Sequence, residues 1–486
     1  MTTSAPASSE AVTADPRRWS ALFVLLAAAF MDLLDATVVN IALPTIRVEL
    51  GASYAAIQWI TAGYTLAFGL GLITGGRMGD RFGRKRIFLI GTAAFTLASL
   101  LCGIASTAAV LVVARLLQGL AAALMVPQIM ATVYAIFPPA ERGGATGAYG
   151  AATGLATVAG PVVAGLLVQY DLFGLGWRAV FLINLPIGVI AFVAALKLVP
   201  ENRSEHPLRM DLIGALLVTL GMVLVLYPLV QGNEAGWPSW MFVAMAASPV
   251  VMLVYALHAR AKDRRDGSAL VPLRLFGQPG FAAGTVLLFL FDATMIGFTL
   301  VLTLSLQIGL GFSPVSSGLV FIPWAIGSGI MAGMADKLIA KLGRHLLSIG
   351  AVVMAAGIVW TALTVTPDSS WYSLWPSLFV TGLGLGGVIG PAFTVAGSGV
   401  RPSDAGAASG TLSAATQVGA AAGTALLSVV FFNLLVGAPA EGPEHAETFL
   451  AAFRNASWYA AGGMLLIALL SQALPRRVAG YHTMAH

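Results

Sequence analysis

The chain has 486 residues, 58% hydrophobic and only 10% charged, with a mean hydropathy of +0.87. A soluble domain carries about 25% charged residues, so this composition excludes a water-soluble enzyme or binding module. The net charge of +5 does not mark a nucleic-acid binder, because its basic residues fall in short clusters between apolar blocks, as membrane topology requires.

Residues 1–18 are polar and lack a signal-peptide core, so they are expected to be a cytoplasmic tail. Apolar blocks follow, each about the 20 residues a helix needs to span the hydrocarbon core. They run over 19–43, 55–76, 86–106, 108–134, 144–168, 178–199, 211–231, 238–259, 281–307, 316–335, 346–364, 374–398, 404–434 and 455–474. The expected fold class is therefore an all-α integral membrane protein with 14 transmembrane helices. The single cysteine, Cys102, lies inside one block. It excludes an intramolecular disulfide and argues against a Cys-based metal site. No metal and no cofactor are expected.

An even number of spans puts both termini on one side. With the N-terminus inside, the inner segments hold 22 Lys and Arg and the outer segments 3, namely Arg47, Arg178 and Arg454; Arg115 lies within a span. The positive-inside rule then places both termini in the cytoplasm, residues 476–486 forming the second tail.

The chain also repeats itself. Asp35-Ala36-Thr37 in the first span returns as Asp292-Ala293-Thr294 in the ninth. Met78-Gly79-Asp80-Arg81 returns as Met334-Ala335-Asp336-Lys337, and Ala145-Thr146-Gly147 as Ala408-Ser409-Gly410. Three matches in one order at nearly one offset make spans one to six and nine to fourteen an internal repeat, a layout typical of secondary transporters. The expected domains are a six-helix bundle over 19–199, an inserted two-helix linker region over 200–280, and a pseudo-symmetric six-helix bundle over 281–475.

With this layout, several motifs resemble the major facilitator superfamily, and within it the fourteen-span drug/proton antiporters. Gly76-Arg77-Met78-Gly79-Asp80-Arg81-Phe82-Gly83-Arg84-Lys85 is similar to the superfamily's cytoplasmic loop motif. Asp35 to Pro44 resembles the first-helix signature of the fourteen-span group, and Arg115-Leu116-Leu117-Gln118-Gly119 the fourth-helix motif. Gly160-Pro161-Val162-Val163-Ala164-Gly165 resembles the fifth-helix antiporter motif, with Ala164 where Gly is usual. Trp177 to Pro186 is similar to the start of the sixth helix in that group. The resemblance covers residues 17 to 475.

Charge inside the spans is the strongest local signal, since a charged Asp or Arg at the centre of a span costs about 2.5–3.5 kcal/mol on insertion scales. Asp32, Asp35, Arg115 and Asp292 lie deep in the predicted spans. Asp32 and Asp35 share a helix face and are expected to titrate as a coupled pair. Such a pair can carry a proton or exchange it for a cation. Arg115 lies at the depth of Asp35, and the resemblance implies that both helices line a central cavity, so an Asp35–Arg115 pair is expected. Gln118, one turn inward, and Asn40 are counted as cavity polar residues. The bland alternative is pairing that only holds helices together, or an Arg115 extended to the outer interface.

The basic loop alone says only that it lies inside. The resemblance implies that Gly76, Asp80, Arg81, Gly83, Arg84 and Lys85 form a cytoplasmic gate, with glycines making a tight turn. Asp80 is expected at the N-terminus of the thirteenth helix near Ser403 and Asp404, or paired with Arg142. In the fifth helix Gly160, Pro161 and Gly165 are expected to act through close packing and a bend.

These readings imply a proton-coupled efflux antiporter for amphipathic, cationic organic compounds. Its expected partners are lipophilic or cationic small molecules, protons and membrane lipids, and no nucleic acid. It is expected to be a monomer in the cell membrane. A dedicated exporter of one endogenous metabolite or antibiotic is the alternative. A membrane-embedded enzyme is disfavoured because no HExxH occurs and no His or Cys cluster lies in a span, and a non-transporting sensor by the paired acids; no Walker A sequence is present, so ATP is not the evident energy source.

Overall fold

A computed structural model describes residues 16–171, 174–203, 209–397, 400, 405–435 and 443–474. Lipid offers no partner for backbone N–H and C=O groups, so each spanning segment satisfies its own by coiling into a helix. The described residues contain 14 helices long and apolar enough to cross a membrane.

The first bundle comprises α1 (Arg18–Leu50), α2 (Tyr54–Phe82), α3 (Arg84–Gly103), α4 (Ala108–Ile136) and α5 (Pro139–Gln169), with a sixth span built from α6 (Ala179–Leu182) and α7 (Asn184–Leu198). The inserted pair is α8 (Leu212–Ala235) and α9 (Ser239–Asp266). The second bundle comprises α10 (Pro279–Leu304), α11 (Pro314–Leu319), α12 (Phe321–Leu342), α13 (His345–Thr364), α14 (Trp375–Gly397), α15 (Ala405–Asn433) and α16 (Pro443–Leu470). The packing repeats as the sequence does. Helix α1 lies on α5 and α4 on α2 and α3, while α10 lies on α15 and α14 on α12 and α13.

Three boundaries differ from the sequence expectation. Helix α1 continues through Pro44 to Leu50, where Gly51 turns left-handed at φ 58°. Helix α2 runs to Phe82, so most of the expected loop from Gly76 is helical and the turn is Gly83 alone, at φ 105°. The upstream glycines serve close packing instead. A Cβ on Gly75 would lie 2.0 Å from the Ala123 carbonyl oxygen, and one on Gly79 1.8 Å from Gln128 Oε1. Helix α16 begins at Pro443 rather than 455. Its first turns carry Glu444, Glu447 and Arg454, which mask the span, but they bury Phe449, Leu450 and Phe453 on one face.

The bundles meet on the side opposite the basic clusters. Gln307 Nε2 donates to the Ile41 carbonyl at 3.0 Å, and the Val315 N–H to Gln169 Oε1 at 3.2 Å. The rings of Tyr54 and Phe432 stand 4.1 Å apart. A Cβ on Gly318 would lie 2.3 Å from the Pro161 carbonyl oxygen, and one on Gly165 2.7 Å from that of Pro314. Helical spacing puts Gly147 and Gly154 on the α5 face that carries Pro161 and Gly165, and Gly329 and Gly333 on the face that carries Gly318. At none of those four would a Cβ meet any atom within 4 Å. The two faces that touch at one end thus have no such neighbour at those glycines, whereas α2 and α15 stay together further toward the basic side: a Cβ on Gly69 would lie 2.8 Å from Gln417 Cβ, and one on Gly410 3.6 Å from Ile73 Cγ1.

Candidate functional site

The densest polar cluster lies inside the first bundle. Arg115 Nη1 donates to Asp35 Oδ2 at 2.5 Å and to Gln118 Oε1 at 2.7 Å. Gln118 Nε2 donates to Asp35 Oδ1 at 2.8 Å and to Ser99 Oγ at 2.8 Å. Asn184 Nδ2 adds a third donor to Asp35, at 2.7 Å on Oδ1. Arg115 Nε caps the Ile60 carbonyl at 3.1 Å. Donors from α4 and α7 thus converge on one carboxylate of α1, and Ser99 of α3 holds two of them, Gln118 and Asn184. Asp35 is 0% exposed and Arg115 1%. A buried pair is tolerable only when its remaining lone pairs and protons are satisfied, and the donors to Asp35 meet that condition. The geometry shows Arg115 turned inward to Asp35 rather than to the outer interface. The pair sits in the packed interior of the bundle.

Asp32, one turn away on α1, is held differently. It accepts a 2.5 Å hydrogen bond from the Tyr64 hydroxyl, and it is 8% exposed. Tyr64 is shared, for its ring lies 4.1 Å below the Arg115 guanidinium. Asp32, Asp35, Arg115 and Gln118 therefore form one connected unit. Asn40 stands apart from it, its Nδ2 3.5 Å from the Ala36 carbonyl and its Oδ1 buried without a partner. Asp292 lies in the other bundle, on α10. Its Oδ2 is buried and makes no hydrogen bond. The repeat that aligns Asp35 with Asp292 has left one carboxylate saturated and the other open.

At the basic end, Asp80 pairs with Arg84, Oδ1 to Nη2 at 2.9 Å. The expected Asp80–Arg142 pair is not formed, because Arg142 folds back onto the carbonyls of Phe137 and Tyr134 at 3.1 and 2.9 Å. Ser403 and Asp404 lie outside the described residues. Arg84 also reaches the Ala131 carbonyl and Asn202 Oδ1, and Lys85 Nζ the Leu196 carbonyl at 2.8 Å. Arg81 lies over the Phe82 ring, 5.4 Å from its centroid. Gly76 sits inside α2, where a Cβ would find only Pro127, 3.7 Å away. Apart from Asn202, just past α7, these partners belong to the first bundle.

In α5, a Cβ on Gly160 would lie 1.9 Å from Thr37 Oγ1. Gly160 thus lets α5 approach α1, while Pro161 and Gly165 touch α11 as described. One helix joins the acidic face of the first bundle to the seam between bundles.

Several residues escaped the sequence reading. Asn184, Ser99 and Tyr64 complete the acid cluster. Their only sequence signal is a polar side chain within an apolar block, which many harmless residues share. Arg77 was grouped with the basic loop, yet it is only 7% exposed. It donates to the carbonyls of Arg209 at 3.1 Å and Ser268 at 2.7 Å, and also to those of Ala269 and Leu270.

The comparisons agree with this architecture. The family model for the Major Facilitator Superfamily matches residues 25–424. The chain is 45% identical over 445 residues to a probable actinorhodin transporter of Streptomyces coelicolor, covering 90% of this chain and 77% of that one. It is 36% identical over 477 residues to the puromycin resistance protein of Streptomyces alboniger, covering 95% and 92%. A bacterial homolog of the human lysosomal transporter Spinster, solved inward-facing and unoccupied, superposes with a TM-score of 0.67 at 16% identity over 94% of this chain and 98% of that one, a likeness of fold. Fourteen spans, a repeated six-helix packing and a family match across most of its length make this chain a transporter rather than an enzyme, and it belongs to the Major Facilitator Superfamily.

Proposed function

We propose that the protein is a proton-coupled antiporter that exports amphipathic, cationic organic compounds by alternating access. It works as a monomer in the cell membrane with both termini in the cytoplasm. The observation that carries this reading is the unequal treatment of its buried acids. Asp35 is saturated by Arg115, Gln118 and Asn184. Asp32 keeps a single hydroxyl donor, and Asp292 keeps a bare oxygen. A carboxyl group without a resident cation can hold a proton in one half of a cycle and a positively charged guest in the other. One elementary charge moving down 100 mV releases about 2.3 kcal/mol, enough to drive such an exchange.

The relatives favour a narrower second reading. Two of them carry names tied to one compound each, actinorhodin and puromycin, which supports a dedicated antibiotic exporter. Everted vesicles decide both points. Efflux of a cationic dye that collapses when the imposed pH gradient is abolished is the expected result. Gradient-independent movement would reject proton coupling. A panel in which one compound alone competes with the dye would replace the broad-range reading with the dedicated one.

A further inference from the structure

The inserted pair α8–α9 is fastened to the first bundle at both ends. At the basic end, the Arg77 guanidinium of α2 enters a cup of four carbonyls. One, on Arg209, precedes α8; the other three, on Ser268, Ala269 and Leu270, follow α9. Asp211 closes the cup. It caps α8 through the Gly214 N–H at 3.0 Å, accepts the Leu270 N–H at 2.8 Å, and meets His258 Nε2 at 2.8 Å. Beneath them Ile73 of α2 packs against a core of Tyr255, Ala259, Ala269 and Leu270. At the opposite end, Glu234 of α8 accepts the Ala55 N–H in the first turn of α2 at 2.8 Å. The contact of α8 with the second bundle is of another kind. Leu226 and Val230 lie on Ala421, Ala422 and Ala425 of α15, a smooth face of small apolar side chains.

The chain then changes allegiance within a few residues. The Val271 N–H is still tied to the Tyr255 hydroxyl of α9 at 3.1 Å. Leu275 is fully buried, and the neighbouring Phe276 ring stands edge-on to Phe281 of α10 at 5.5 Å. Pro272, Leu273 and Arg274 lie between, and the insertion still holds them: Leu273 packs against the same core of Tyr255, Ala259, Ala269 and Leu270, and Arg274 pairs with Asp263 of α9 at 2.7 Å.

We infer that α8 and α9 travel with the first bundle as one rigid body, that α8 slides on α15, and that the hinge is the junction between Arg274 and Leu275. Arg77, Asp211 and Glu234 are its positioning residues. The mobile unit therefore ends near residue 274 and includes the insertion. This rests on the reading that the bundles rock against each other.

Spin labels test it in the full chain, where buried Cys102 stays unlabelled. Exposed Ile90 on α3, Leu257 on α9 and Ile349 on α13 supply the sites. Between acid and alkaline pH, the Ile90–Leu257 distance should stay fixed, while Leu257–Ile349 changes together with Ile90–Ile349. A changing Ile90–Leu257 distance with a constant Leu257–Ile349 distance would overturn the inference. If Ile90–Ile349 never changes, the rocking reading fails, and the fastening is judged on Arg77 itself. Arg77→Ala should broaden the Ile90–Leu257 distribution. Arg77→Lys, a milder change that brings one ammonium where a fork reached four carbonyls, should broaden it less. An unbroadened distribution in Arg77→Ala and in Asp211→Asn alike would refute the fastening.

Discussion

Tyr64 donates its hydroxyl to Asp32 at 2.5 Å and makes no other side-chain hydrogen bond among those described. The acid beside the saturated Asp35 cluster is thus held by one phenol. Asp32→Asn leaves an amide oxygen that can still accept from Tyr64, so the helix packing should survive. Proton-driven efflux should fall to background while the melting temperature stays within a few degrees of the parent. Efflux that keeps its response to the pH gradient would remove Asp32 from the coupling role.

Asp35 and Arg115 should behave in the opposite way, as a pair whose loss is felt first in folding. Stranding one member of a buried ion pair costs about 3–5 kcal/mol. Arg115→Ala and Asp35→Ala should each lower the unfolding midpoint in detergent sharply. The double variant should lose much less than the sum, because the two groups touch. Additive losses would mean that the other donors to Asp35, Gln118 and Asn184, carry the stabilisation independently.

Asp292 has no cation beside it among the described residues, and its Oδ2 is unbonded. Asp292→Asn should weaken transport of divalent cationic compounds more than that of monovalent or neutral ones, by about tenfold if one charge contact worth roughly 1.4 kcal/mol is lost. Competition assays with a matched mono- and dication series provide the comparison. Equal weakening across the series would assign Asp292 to coupling or folding.

The expected pairing of Asp35 with Arg115 was legible from their common depth together with the resemblance that brings the two helices side by side, because two opposite charges at one level of neighbouring spans have few other ways to be stable. The fourteen spans and their repeat were legible for a similar reason: lipid imposes length and apolarity on every crossing segment. The partners Asn184 and Ser99 were not, since a lone polar side chain gives no hint of which neighbour it faces. The α2 ending misled because Gly75, Gly76, Gly79 and Gly83 look alike in sequence. Only Gly83 turns the chain, and the distinction lies in what stands opposite each one, Ala123 and Gln128 for Gly75 and Gly79.

That distinction can be measured. Gly75→Ala forces a Cβ against the Ala123 backbone, an overpacking that costs about 1–3 kcal/mol or more, and it should reduce the amount of folded protein. Gly147→Ala meets nothing within 4 Å and gains helix propensity of about 1 kcal/mol. It should raise the unfolding midpoint. Equal effects at the two positions would contradict the packing described for α2 and α4.

Among the described residues Asp80 is bound only by Arg84, four residues on, in a partly exposed pair. Such pairs contribute about 0.3–0.5 kcal/mol. Asp80→Asn should therefore leave thermal stability almost unchanged. If Asp80 serves the outward-facing state, turnover should fall, and the Ile90–Ile349 distance should shift toward that of the inward-facing state. Lost turnover with an unaltered distance distribution would take Asp80 out of the gate.

The touching point of Pro161 and Gly318 also sets a scale for motion. From Pro161 to Gly147 the helix α5 runs fourteen residues, about 21 Å at 1.5 Å per residue. With the far end pinned at the seam, that length is a lever arm. A rotation of about 15°, the size of a subunit rotation in a switching protein, swings the tip by about 5 Å. A fulcrum made of two backbones in contact, with no side chain between them to compress, converts a slight tilt into a change in width large enough to admit or exclude an aromatic ring.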